Sequence, residues 1–416
     1  MKGRIESLRI DELAAGGDGV GRVNGKVCFV PLAAPGDLLR VEVVRENKGF
    51  SRARIVEVVE RGPARRDPSC ALFGECGGCA WMHIAEEVQL EAKRKILARA
   101  LRLETVDVLA SPEPLGYREN ARLHWVAPED QEPVLGFAKR ESHEVVDVRA
   151  CPVLKPGLSA RLGPIRDALH GLDNVQADIR LSFGQGQVAA AIEADIESLG
   201  PLVERLGRMV PDTLSGLAVL HDGQADVVAG TGEVESLGVD HEPLLAPAAS
   251  FGQTNAGINR LLGETLAAWI SPGEFRSAIE LFSGNGNLTV LLARRVERMS
   301  SADLDPWACD AASRNLASRS LTNVKVRAGD ALEIYLKRGL SRDLVVLDPP
   351  RTGAFDLAKV MAVADHKAIL YVSCDPATLA RDIGVLKTGG FKLQRVLGFD
   401  MFPQTAHLEA AALLVK

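Results

Sequence analysis

The sequence predicts an α/β protein: a C-terminal doubly wound parallel sheet, preceded by a small β-barrel and a central α+β region. Three observations carry this reading. Short β-rich runs broken by Gly-rich turns fill residues 1–62. From residue 254 to 416 strand-like and helix-like stretches alternate. Between them, residues 63–253 mix both patterns without a regular order.

In the first span the β-rich runs are RIESLRI, GKVCFVPL, DLLRVEVVREN and SRARIVEVVE, separated by turns such as AAGGDGVGRVNG and PGD. Several short strands in so small a span predict a compact five-stranded barrel, a shape that often binds nucleic acid. The second span opens on DPSCALFGECGGCAWM, and EEVQLEAKRKILARALR follows with helical spacing. Strand-like ARLHWVA, VLGFAKR and ADIRLSFGQGQVAAAIEA then mix with helix-like GLSARLGPIRDALHGL and GPLVERLGRMV. In the third span the strands read SAIELF, VERMSSADL, NVKVRAG, DLVVLDPP and KAILYVSC. Strand–helix alternation means a parallel sheet with helices on both faces, and such sheets bind ligands at the carboxyl ends of their strands.

The composition, 46% hydrophobic and 25% charged over 416 residues, is that of a globular protein with room for several cores. No apolar run reaches the roughly 18 residues a membrane span needs, and MKGRIESLRIDELAAGG lacks the apolar heart of a signal peptide. A cytoplasmic monomer is the expectation. The net charge of −6 is uneven. Residues 167–253 hold 3 Lys/Arg against 14 Asp/Glu, so the rest of the chain carries 46 basic and 41 acidic residues, a balance of +5. Basic runs at 48–66 and 117–125 are candidates for phosphate contact or plain solvated surface.

Each strand end of the third span carries a polar signature. AIELFSGNGNLTV is strand, Gly-rich turn and helix start, with Gly284 and Gly286 free to turn tightly beside a ligand. SSADLDP puts Asp303 at the next strand end, where a carboxylate can take both ribose hydroxyls of a nucleoside cofactor. RAGDALE puts Asp330 at the third, within reach of an adenine edge. This order fits S-adenosylmethionine better than a dinucleotide, since no second nucleotide-binding half is visible. Asp348 follows in LVVLDPPRTG, projected by a rigid Pro-Pro turn and placed to orient a target base. Cys374 follows in YVSCDPATLARDI at the same edge, ahead of a helix whose free N–H groups are expected to lower its thiol pKa. By composition a buried inert thiol is the commoner outcome; the position favours a nucleophile. In FPQTAHLEA, Glu409 precedes the last apolar strand and offers a base. Of the seven cysteines, Cys70, Cys76 and Cys79 form C-x5-C-x2-C, with Cys151 downstream. Four thiolates suit an iron–sulfur cluster or a structural zinc.

Taken together these motifs resemble those of the bacterial RNA 5-methyluridine methyltransferases that carry an N-terminal TRAM domain and a [4Fe–4S] cluster, from the barrel to the last strand. The resemblance implies a class I, Rossmann-like S-adenosylmethionine-dependent methyltransferase domain behind a TRAM/OB-like barrel. It makes Cys70, Cys76, Cys79 and Cys151 the cluster ligands, and so favours iron–sulfur over zinc. It makes Gln253, Phe282, Gly284, Asn287, Asp303, Asp330 and Asp348 the cofactor and substrate-pocket residues, Cys374 the nucleophile and Glu409 the proton acceptor. The chain departs from the family pattern at Glu280 (usually Asp), Ser283 (often Cys), Asp303 and Asp330 (more usually Glu and Asn) and Asp375 (commonly Asn). The implied substrate is RNA, 23S ribosomal RNA first and transfer RNA second, with no membrane partner. Two rivals stand beside this reading. DPPR also resembles the tetrapeptide of amino-methyltransferases, which need no thiol, and a non-catalytic cluster-bearing RNA-binding protein would keep the fold as a scaffold.

Overall fold

The computed structural model describes residues 4–129 and 131–416; residues 1–3, which open the predicted barrel span, and Asp130 of the central span lie outside the described residues. The N-terminal strands close into a five-stranded barrel in the order Ile5–Leu13, Gly19–Val23, Lys26–Val30, Phe50–Glu60, Leu38–Glu46. Its interior is filled by Leu8, Ile10, Val23, Cys28, Val30, Leu39, Val41 and Ala53, which the strand period of two turns inward. Asp37 locks the barrel's exit. Its buried carboxylate accepts N–H bonds from Ala34 (2.7 Å) and Gly62 (2.9 Å) and pairs with Arg65. Burial works to raise this carboxyl, but the Arg65 bond and the two backbone donors outweigh it and hold it below its ordinary value.

The central region is built on a seven-stranded sheet in the order Gln224–Gly230, Gly216–His221, Gln187–Ala194, Val175–Gly184, Asn120–Ala127, Val134–Ala138, Val145–Asp147. Helices Leu162–Leu169 and Ile196–Gly207 bury Leu162, Ile165, Leu169, Leu202 and Leu206 in the core of this sheet. A separate two-stranded ladder, Glu233–Leu237 with Pro243–Pro247, packs Val234 and Ala246 against Ala189, Ala191 and Ala218.

The C-terminal sheet has eight strands in the order Val324–Ala328, Arg298–Asp303, Ser277–Leu281, Leu344–Leu347, Ala368–Ser373, Glu409–Val415, Lys392–Phe399, Val108–Leu109. The first five are mutually parallel, and Glu409–Val415 runs antiparallel to both of its neighbours. The chain order reverses between Ser277–Leu281 and Leu344–Leu347, which opens a crevice at their carboxyl ends. Apolar clusters cover both faces, as doubly wound sheets require.

Helix Glu86–Leu101 and strand Val108–Leu109 lie within residues 63–253 yet join the C-terminal sheet: the helix adds Ile96, Leu97 and Leu101 to its core, and the strand pairs with Lys392–Phe399. The helix also pins the loop before Glu409. Lys93, fully buried, pairs with Asp400 and donates to the Phe402 carbonyl at 3.0 Å. Gln89 exchanges bonds with Gln404, and the Tyr117 hydroxyl donates to the Pro403 carbonyl at 3.1 Å. Removing one member of a buried ion pair leaves an uncompensated charge. Lys93→Ala should therefore cost about 3–5 kcal/mol, read as a lowered urea midpoint, and Lys93→Met combined with Asp400→Leu should recover most of it.

Candidate active site

Strand register assembles the site. Leu281 pairs with Ala302 on one side and Leu347 on the other. One residue further along, Phe282, Asp303 and Asp348 therefore stand on three adjacent strand ends. Leu347 pairs with Tyr371, and Ser373 pairs antiparallel with Ala410. Continuing that antiparallel ladder by one step puts Cys374 opposite Glu409. Five of the residues singled out in the sequence thus meet at one edge.

The Gly-rich loop is shaped by its backbone. Phe282, Gly284 and Gly286 all have positive φ, at 63°, 51° and 83°. A Cβ on Gly286 would press Ala312 at 3.2 Å, whereas one on Gly284 would meet nothing within 4 Å. The chain thus packs on one side of the loop and leaves the other open. The Gly284 N–H donates to Asp303 at 2.8 Å, and the Asp305 N–H donates to the other Asp303 oxygen at 2.9 Å. The carboxylate is held in place with lone pairs left over for a diol. Beside it a cleft of about 530 Å³ runs between Asp303–Trp307 and the central-sheet hairpin around Gly223, wide enough for a nucleoside.

Two expected cofactor residues are occupied within the protein. Both ends of the Asn287 amide are engaged with Asn259, and its oxygen also accepts from the Val239 N–H. Asn287 therefore sets the loop's shape. Asp330 caps helix Ala331–Arg338 by accepting the Glu333 N–H at 2.9 Å, and it is otherwise exposed. Gln253 is half-buried on a narrow crevice beside Asn285.

Buried acids dominate the edge. Burial raises Glu280 to about 8, with Asp348 and Asp303 adding and the 2.6 Å Thr289 bond opposing. Burial raises Asp348 to about 7, and the nearby Asp303 adds to it. Burial and Asp348 push Glu409 well above the carboxylate range, and among the described residues its Oε1 has no hydrogen-bond partner. Three carboxyls that resist ionisation suit a site that receives a positively charged ligand.

The Cys374 thiol lies above its ordinary value, where the helix after it had suggested a lowered one. Asp375 caps that helix, accepting the N–H groups of Ala377 (3.0 Å) and Thr378 (2.8 Å). Burial, then Glu409, lifts Cys374 to about 11, with Arg351 opposing and Asp348 adding. The thiol opens on a cavity of about 300 Å³ lined by Ala15 of the barrel, Ile96 and Arg99 of helix Glu86–Leu101, and His407. Neither Arg351 nor His407 was singled out from the sequence; the Arg of DPPR was the signal for the first. Behind the edge, Asp382 takes the Tyr371 hydroxyl (2.7 Å) and the Ala354 N–H (2.8 Å), which ties the loop after Asp348 to the helix after Cys374.

The four clustered cysteines share one neighbourhood. Cys70, Cys79 and Cys151 pack around Met82, Tyr117 and Val153. Burial raises Cys79 to about 12 and Cys76 and Cys151 above their ordinary value, and other thiols of the set add to each shift. The Gly78 N–H donates to the Cys76 sulfur at 3.4 Å. No disulfide joins them. Among the described residues, no group of three or more His, Cys, Asp or Glu side chains is placed to hold a metal ion. Of the basic run at 48–66, Arg65 is turned onto Asp37, and Arg66 onto the Met82 carbonyl, Glu86 and Gln404, so these two are structural. No helix among the described residues is long and apolar enough to cross a membrane.

A family model described as tRNA (Uracil-5-)-methyltransferase matches residues 244–416, and one described as TRAM domain matches residues 1–56. A 23S rRNA (uracil(1939)-C(5))-methyltransferase of Chromohalobacter salexigens is 34% identical over 99% of this chain and 89% of its own length. A protein of the same description from Klebsiella pneumoniae is 32% identical over 99% of this chain and 96% of its own. Among solved structures, the Pyrococcus abyssi tRNA (uracil-54, C5)-methyltransferase in complex with S-adenosyl-L-homocysteine is similar over 100% of both chains, with a TM-score of 0.75 and 25% identity.

With its thiol raised to about 11, Cys374 should be a slow target in the ligand-free protein. Its alkylation rate by iodoacetamide, followed by peptide mass spectrometry, should climb with pH until the thiolate fraction saturates above that value. A plateau near neutral pH would contradict the geometry.

Proposed function

Because the chain belongs to the family of S-adenosylmethionine-dependent RNA (uracil-C5)-methyltransferases, we propose that it methylates C5 of one uridine in 23S ribosomal RNA through a covalent bond to Cys374. The observation that carries the mechanism is the register that sets Cys374 opposite Glu409, one strand away from Asp348. The substrate assignment rests on likeness to 23S enzymes along the whole chain, barrel and central sheet included, at 32–34% identity. It points to the uridine that those relatives' names number 1939. Transfer RNA is the second reading, because the Pyrococcus tRNA enzyme is similar over its full length. A cytoplasmic location and a monomer go with this reading.

S-adenosylmethionine, when bound, supplies a methyl group on a positively charged sulfur. The open side of Gly284 and the fixed Asp303 carboxylate fit its nucleoside end. The Cys374 thiol first gives up its proton to solvent; the thiolate then adds to C6 of the uracil, which gives C5 the carbanion character it otherwise lacks. Asp348 holds the uracil edge; a carboxyl near neutral pKa can accept from N3–H or donate to a carbonyl oxygen. After methylation Glu409 removes the C5 proton, and breaking the C6–S bond returns the thiolate and restores the ring. The base must leave its stack to reach the cavity at Cys374. That cavity is walled partly by Ala15, so the barrel sits where the RNA enters.

We also assign a [4Fe–4S] cluster to Cys70, Cys76, Cys79 and Cys151. Three unpaired thiols, Cys70, Cys79 and Cys151, pack around one apolar cluster, and Cys76, whose sulfur takes the Gly78 N–H, lies close enough to Cys70 and Cys151 to feel their charge. Four thiolates suit a structural zinc as well; the resemblance to cluster-bearing methyltransferases is what favours iron–sulfur. Methyl transfer consumes no electrons, so the cluster's role is structural or RNA-positioning.

Cys374→Ala should abolish turnover and the gel-stable adduct that the wild type forms with 5-fluorouridine RNA; retained methylation would remove the thiol from the mechanism. Glu409→Gln should accumulate a covalent complex on ordinary RNA, because the methylated adduct cannot lose its proton. Anaerobically purified protein should be brown, and Cys79→Ser should bleach it; a colourless, zinc-containing preparation would overturn the cluster. Mass mapping of 5-methyluridine in ribosomal and transfer RNA from a deletion strain decides the substrate.

A further inference from the structure

Glu119 has no part in the chemistry above, yet its place is closely controlled. It immediately precedes strand Asn120–Ala127 of the central sheet. Its N–H donates to the Thr254 carbonyl at 2.9 Å, and its own carbonyl accepts from the Phe183 N–H at 2.8 Å. The neighbouring Asn120 amide donates to the carbonyls of Gly252 (3.2 Å) and Gln253 (2.9 Å). These bonds fasten Glu119 to the segment FGQTN that carries Gln253.

The side chain lines the narrow crevice against the Gly-rich loop, together with Gln253, Asn259, Asn285 and Asn287. It is 12% exposed. Among the described residues its carboxyl makes no hydrogen bond. Lys155 lies 4.0 Å away but is itself paired with Glu113 at 2.9 Å. Burial raises the Glu119 carboxyl to about 7, with Lys155 opposing and Glu113 adding. A carboxyl buried without a hydrogen-bonded partner is costly unless a ligand supplies one.

We propose that Glu119 receives the α-ammonium of the methionine tail of S-adenosylmethionine, so that the central domain completes the cofactor site. This rests on the reading that the Gly-rich loop and Asp303 hold that cofactor. The Gly-rich loop joins the two places: its Gly284 N–H holds Asp303, where the ribose would sit, and its Asn285 and Asn287 line the crevice where the tail would lie. A zwitterion arriving there brings a positive charge, and Glu119 is the acidic side chain lining the crevice. Of the amides around it, Asn259 and Asn287 are engaged with each other and Asn285 donates to the Leu245 carbonyl, which leaves Gln253 to meet the tail's carboxylate. Docking of the central sheet and binding of the methyl donor are then linked.

Isothermal titration at pH 8, where Glu119 is ionised, tests this with two probes. S-adenosylhomocysteine keeps the ammonium; 5′-methylthioadenosine keeps the nucleoside and lacks the amino-acid tail. Glu119→Gln should weaken S-adenosylhomocysteine about tenfold or more, the effect of a lost charge-assisted bond, and leave 5′-methylthioadenosine unchanged. Unaltered S-adenosylhomocysteine binding overturns the proposal, and so does an equal loss for both probes, which would mean a damaged fold. A wild type that binds neither probe would instead overturn the cofactor reading beneath it.

Discussion

The constraint on which the site depends is the antiparallel register between Ala368–Ser373 and Glu409–Val415. Directly opposed residues on such strands have Cα atoms about 4.5–5.5 Å apart, so a thiol and a carboxyl at the next step of the ladder are neighbours by construction. A slip of one residue would turn every side chain of the last strand to the opposite face. The flanking parallel strands extend the alignment to Asp348, Phe282 and Asp303. The last strand's register is protected from outside the sheet. Lys93, Gln89 and Tyr117 hold the loop at 400–404, just upstream of Glu409, from residues far earlier in the chain.

Electrostatics then gives the edge its chemistry. Burial is the main force against ionisation of Glu280, Asp348 and Glu409; Asp348 adds to it at Glu280 and Glu409, and Asp303 at Asp348 and Glu280. Arriving positive charge relieves that repulsion, so a sulfonium donor is favoured where a neutral nucleoside is not. Burial, then Glu409, with Asp348 adding and Arg351 opposing, keeps Cys374 a thiol at neutral pH. A thiol is less readily oxidised than a thiolate.

Much of the fold was legible because its periodicities are clean. The strands of the parallel sheet are continuous apolar runs, and IEL, LVVL and AILYV are buried throughout. The barrel strands alternate around Gly-rich turns. Strand Gln224–Gly230 was not legible, because it is almost wholly exposed and carries no apolar pattern. Lys392–Phe399 has exposed positions on both faces over its first half. The destination of helix Glu86–Leu101 was equally hidden. Its buried residues include Gln89 and Lys93, whose partners lie more than 300 residues away. Glu119 reads in sequence as one charge among several, and only its tie to Thr254 and Gln253 brings it to the crevice.

The sequence by itself determined the order of the strand ends, and with it the set Asp303, Asp348, Cys374 and Glu409, because residue type and strand-helix rhythm are local properties. The tertiary structure decided what each group is able to do. Cys374 precedes a helix, which suggested a lowered pKa. Asp375 takes the helix N–H groups, and burial beside Glu409 raises it instead. Asn287, expected beside the cofactor, also shapes the loop, because Asn259 and Val239 engage its amide. Ionisation and hydrogen-bond capacity depend on what surrounds a side chain in space, and those surroundings are drawn from distant parts of the chain.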